Sequence, residues 1–162
     1  MSMDRKKHTI HLVQQVLKVR AWSEESAKGA LNDANAELDS RLAAREVIET
    51  RITGNLAALR LAHGQAGTAL DLDQIQRLRQ WQGDSEAEME KAGAAVDAAQ
   101  QVADDAREAL GGIVAERRAL GTMKDRLQHE LRSDDARVQG RLADEAYAAN
   151  ASHRAGEPHG TH

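Results

Sequence analysis

The 162-residue sequence has no cysteine and no phenylalanine, only one tyrosine and one proline, and an aromatic content of 2 %. Each absence excludes something. Without cysteine there are no disulfides and no thiolate metal centre, and the chain suits a reducing compartment. Aromatic side chains bury the largest areas, so their scarcity argues against a thick globular core. The single proline, Pro158, sits near the end, so no proline breaks a helix before it. No run of about 18 apolar residues is present, which excludes a membrane-spanning helix. The start, MSMDRKKHTIHLVQQ, is basic but lacks the apolar stretch of a signal peptide. A cytoplasmic protein is the expectation.

Good helix formers are abundant: Ala, Leu, Glu, Gln, Lys and Arg. From Ile75 to Ile113, alternating steps of three and four trace Ile75, Leu78, Gln82, Ser85, Met89, Ala92, Val96, Ala99, Ala103, Ala106, Leu110 and Ile113. Only Gln82 and Ser85 interrupt this line. A mean period of 3.5 residues is a coiled-coil seam. Leu120, Leu127, Leu131, Val138 and Leu142 continue the stripe in looser register. An earlier stripe includes Ile10, Val13, Leu17, Ala27, Leu31, Ala34, Leu38, Leu42, Ile48, Ile52, Leu56 and Leu59, with a stutter-like skip after Leu42.

Between the stripes, His63-Gly64-Gln65-Ala66-Gly67-Thr68 reads as a helix stop and turn. Thr68 and Asp71 have capping-box spacing, and Asp71 and Asp73 suit a helix N-terminus. The expected fold is all-α: a long antiparallel two-helix coiled-coil hairpin over residues 1–150. Helix 1 covers about 10–62, the turn 63–70, and helix 2 about 71–149. A disordered tail takes up 151–162. At about 1.5 Å per residue the helices reach roughly 75 and 115 Å, so the expected shape is a rod. A fold centred near Gly67 puts residue n opposite roughly residue 134 − n. Ile10 then meets Lys124, and the second helix overhangs from about Asp125 to Asn150. Ala99, Ala103 and Ala106 face Asn35, Leu31 and Lys28, close to Ala27, Ala30 and Ala34. Trp22 lies near Gly111-Gly112. A glycine pair costs a helix roughly 2 kcal/mol relative to alanine. Room for the indole and a helix kink are two reasons to tolerate it.

Net charge is −4, but its distribution is uneven. Residues 1–20 carry Arg5, Lys6, Lys7, Lys18 and Arg20 against Asp4. Residues 84–108 hold Asp84, Glu86, Glu88, Glu90, Asp97, Asp104, Asp105 and Glu108 against Lys91 and Arg107. Residues 116–141 set seven Arg and Lys against five acids, two of them Glu130 and Asp134. A hairpin gathers both basic stretches at its open end. Those interleaved acids argue against nucleic-acid binding, which needs an uncompensated basic surface.

No phosphate-binding loop, nucleophile elbow, HExxH or cysteine cluster occurs. His8 and His11 share a helical face, yet such pairs are mostly solvated, and no metal or cofactor is expected. A two-stranded coil offers no concave pocket for chemistry, so an enzyme is not expected either. Trp81 stands one residue before the seam position Gln82. Partial burial against the first helix is the plain reading. An exposed anchor for a partner is the sharper one, since tryptophan is enriched in interface hot spots.

Four segments in this order resemble the FliJ family, the soluble stalks of the flagellar export ATPase, and are similar to the YscO-type stalks of injectisomes. They are LVQQVLKVRAWSEESAKGALNDANAEL, IQRLRQWQGDSEAEMEKA, AERRALGTMKDRLQHE and DARVQGRLADEAYAAN. The likeness covers about residues 12–150. It implies an antiparallel coiled coil whose open end enters a hexameric export ATPase ring. Val13, Leu17 and Arg20, with Lys124, Arg126, Leu127 and Leu131, are the residues it places there. It also implies a contact of the early second helix with the membrane export gate. Trp81 matches the aromatic that begins that face. Leu78, Gln82, Ser85, Glu88 and Ala92 accompany it, although Ser85, Glu88 and Ala92 depart from the family's aliphatic pattern. Export chaperones are further implied partners. The location implied is the cytoplasmic face of the inner membrane, without membrane insertion. An injectisome stalk and a generic coiled-coil scaffold or holdase stay open. A monomeric hairpin is expected, and a four-helix dimer satisfies the same pattern.

Overall fold

The computed structural model describes residues 1–66 and 72–156. The fold is all-α: α1 spans Met3–Ala66 and α2 spans Leu72–Ala155. The chain divides into two compact units. One comprises Met1–Ser23 with Ile113–His162, the other Glu24–Gly112. In each, a stretch of α1 packs antiparallel against a stretch of α2.

Both helices run beyond their expected limits. α1 begins seven residues before Ile10 and continues through His63 and Gly64, so the expected turn does not begin at 63. The capping-box residues Thr68 and Asp71 lie outside the described residues. α2 continues past 149 to Ala155 and closes with a Gly156 N–H bond to the Ser152 carbonyl, 3.2 Å. The expected tail is therefore helical at its start, and 157–162 lie outside the described residues. An uninterrupted i to i−4 ladder carries single glycines at about 1 kcal/mol each, which long flanking helix absorbs.

Cross-helix ion pairs report the register. In the first unit Lys6 meets Glu130 and Asp134, and Arg20 meets Glu116. In the second, Arg51 meets Glu88. The paired residue numbers add to between 136 and 140 rather than to 134. Ile10 consequently lies nearer Leu127 than Lys124, and both are buried. Because α1 starts at Met3, α2 stays partly covered as far as Val138; every residue from 139 to 156 is exposed. The overhang begins there, not at Asp125.

Burial also redraws the stripes. On α1 the covered residues step by three and four from Met3 to Leu59 through Lys6, Ile10, Val13, Leu17, Arg20, Glu24, Ala27, Leu31, Ala34 and Leu38, then Arg45, Ile48 and Ile52. Only the steps at 41 and 55 are exposed. There is no skip after Leu42: Arg45 holds the seam position, and Leu42 and Leu56 lie outside it, exposed. On α2 the register does not loosen. Lys124 and Asp134 occupy seam positions between the leucines, and Leu142 is exposed because nothing faces it.

The centre of the second unit is made of small side chains. Ala34, Ala99 and Ala103 are buried, with Ala103 at 0 % exposure, while Ala30 points outward. No large side chain among the described residues is fully buried. Two helices can bury one stripe each and no more, so each leucine gains only part of the roughly 1.5–3 kcal/mol of full burial.

Trp22 does not fill space at the glycine pair. The residue is 83 % exposed. A Cβ added to Gly111 or Gly112 would meet nothing within 4 Å. The two units divide directly after Gly112 on α2 and after Ser23, beside Trp22, on α1. Gly111→Ala and Gly112→Ala should each stabilise the chain by about 1 kcal/mol in urea unfolding. A loss of stability in either variant would show that the pair is needed as glycine.

Candidate partner-binding sites

The first candidate surface combines Val13, Leu17 and Arg20 of α1 with Lys124, Arg126, Leu127 and Leu131 of α2. The structure brings these residues into one unit. It also spends most of them on the helix pair itself. Val13 and Leu127 are buried, and Leu17, Arg20, Lys124 and Leu131 are half-buried. Arg126 alone is exposed, and its Nε donates to Glu130 Oε1 at 3.1 Å, one turn away. Arg20 donates to Glu116 at 2.7 Å.

Lys6 is the residue that sequence reasoning missed. It is buried at a seam position, and its Nζ donates to Asp134 Oδ2 at 2.7 Å with Glu130 Oε2 at 3.4 Å. The hydrogen bond to Asp134 holds the Lys6 ammonium above its ordinary pKa. Asp134 is pushed below the carboxylate range chiefly by Lys6. Glu130 is pushed down by Arg126 first and Lys6 second. Glu130 and Asp134 stand four apart, so they share one face of α2 and straddle the ammonium. That spacing was the available signal. This matching neutralises part of the basic end: Lys6 and Arg20 face acids, while among the described residues Arg5, Lys7 and Lys18 make no ion pair.

The second candidate surface belongs to the other unit. Trp81 is half-buried, as the plain reading expected. It takes the interior place assigned to Gln82, which is exposed and donates instead to Glu86 at 3.2 Å. Trp81 and Leu78 line a groove of about 700 Å³ with Ile52, Leu56, Ile75, Arg79, Gln82, Ser85, Glu86 and Met89. Ser85 is buried, Glu88 is bonded to Arg51 of α1, and Ala92 is half-buried. The face that resemblance assigns to an outside partner is thus turned in part toward α1. Of the six, Leu78, Trp81, Gln82 and the buried Ser85 line the groove, and Glu88 and Ala92 do not. Steps of three from Ile75 to Leu78 to Trp81 place the indole inward, which a strict heptad count could not reveal.

No group of three or more His, Cys, Asp or Glu side chains able to hold a metal gathers among the described residues. Neither helix is long and apolar enough, over those residues, to cross a membrane. No family model, curated protein or solved structure matches the chain.

The shifted groups set a pH dependence. Asp134 and Glu130 have lowered folded-state values, so their contribution is complete above the ordinary carboxylate range and is lost as pH falls below that range and through the lowered values. The thermal midpoint should drop on acidification below about pH 4. Lys6→Met should flatten that drop. An unchanged acid limb in Lys6→Met, followed by circular dichroism, would remove Lys6 from the account.

Proposed function

We propose that this chain is the stalk of a flagellar type III protein-export apparatus, acting as a coupling element rather than an enzyme. In this reading the start of α1 and the second half of α2 enter a hexameric export ATPase ring. The groove beside Trp81 contacts the membrane export gate, and export chaperones bind elsewhere on the chain. The protein works at the cytoplasmic face of the inner membrane.

The observation that supports the reading is the antiparallel pairing, in one unit, of the LVQQVLKVR segment with AERRALGTMKDRLQHE. These are the two segments through which the resemblance to FliJ-family stalks assigns ring insertion. The order and lengths of the four resembling segments support it further. A coupling element must bind its partners differently in different states; a tightly registered helix pair can carry such a bias only if its two ends touch different partners. The two candidate surfaces lie in different units, which suits that requirement.

Lys124→Glu with Arg126→Glu should weaken binding to the ATPase ring about tenfold or more and leave helicity unchanged. Unaltered affinity in a quantitative pull-down would refute insertion by this end. Trp81→Ala should impair gate binding and spare ring binding. An equal loss at both partners would mean that Trp81 supports folding.

A further inference from the structure

α1 carries a second apolar line that its own partner helix leaves uncovered. Leu12, Val16 and Val19 are 50 %, 42 % and 67 % exposed. Their spacing of four then three makes one stripe, on a different side of the helix from the buried Ile10 and Val13. On α2, Leu142 is 59 % exposed, and Ala146 and Ala149 follow it at the same spacing of four then three. This segment, 139–155, is helical with no α1 residue opposite it.

We propose that a second copy of this chain covers the Leu12–Val16–Val19 stripe with its own Leu142–Ala146–Ala149 stripe. The docking is parallel, with Leu12 against Leu142, Val16 against Ala146 and Val19 against Ala149. Two of the three pairs set a valine of α1 against an alanine of α2, so the helices approach closely there. It also matches charge. Glu145 flanks the stripe and makes no ion pair among the described residues. In a parallel coil a residue at that flank reaches the other helix five positions further on, which here is Arg20 of the copy being covered. Arg20 is a cation with 39 % of its side chain exposed, able to serve Glu116 and Glu145 together.

The contact forms only between copies. α2 is one unbroken helix to Ala155, so its end runs on past Met3 and cannot fold back along α1 of its own chain. Two copies related by a two-fold axis make the contact twice, which closes the assembly as a dimer. Each contact then becomes a three-helix section: α1 and α2 of one copy and the α2 end of the other.

The absence of cysteine supplies a clean test. Within one chain Leu12 lies opposite α2 about fifteen residues short of Leu142, a separation of roughly 20 Å. A disulfide needs Cα atoms within about 7 Å. Mild oxidation of the Leu12→Cys/Leu142→Cys chain should therefore yield covalent dimers, and each single-cysteine chain should remain uncrosslinked. Sedimentation of the unaltered chain should show a concentration-dependent dimer, which Leu142→Glu weakens about tenfold or more at unchanged helicity. The proposal is overturned if the unaltered chain stays monomeric at its highest soluble concentration. It is equally overturned if Leu142→Glu leaves a dimer intact, or if single- and double-cysteine chains crosslink alike. No export ATPase or gate enters these measurements, so they stand or fall apart from the stalk reading.

Discussion

Everything in this fold depends on one constraint: two helices have only each other to bury against. Each can hide a single stripe, and the stripe must keep a period of 3.5 residues to stay facing its partner. The covered positions of α1 obey that period from Met3 to Leu59, even where the residue is Lys6, Arg20, Glu24 or Arg45. Position in the repeat therefore outranks side-chain polarity. A charged residue at a seam position is not expelled. Lys6 and Arg20 have acids across from them, Glu130 with Asp134 and Glu116, while Glu24 and Arg45 pair along α1 with Lys28 and Glu49.

Those charged seam residues act as register marks. Alanines and leucines slide past one another at little cost, since any apolar surface satisfies another. An ammonium between two carboxylates has one acceptable setting. Breaking such a contact leaves an uncompensated charge in a covered site, whereas exposed pairs such as Arg41 with Glu37 specify little. The cross-helix pairs in each unit mark a register that differs by several residues from one drawn by folding the chain symmetrically about Gly67.

The thinness of the core has a functional side. With no large side chain among the described residues fully buried, much apolar surface is left over: Trp22, Val19, Leu142 and Tyr147 outside the seam, and the groove beside Trp81. In a thick globular domain such residues would be anomalies. In a helix pair they are what a single buried stripe leaves outside, and they fall in both units.

By itself, the sequence determined the all-α class, the two helices and the alanine-lined contact at Ala34, Ala99 and Ala103, because helix propensity and heptad period are local properties of the chain. For Trp81 it left partial burial and an exposed anchor both open. Only the tertiary structure decided the register, the seam roles of Lys6 and Arg45, the inward place of Trp81 over Gln82 and the exposure of Trp22. The reason is physical. A polarity pattern says which residues prefer burial, but which residues are covered depends on where the second helix begins and on which charges it brings opposite. The same holds for the proposed sites: the resemblance assigned Ser85 and Glu88 to an outside partner, whereas Ser85 is buried, as its seam position in the heptad line implied, and Glu88 is bonded to Arg51 of α1.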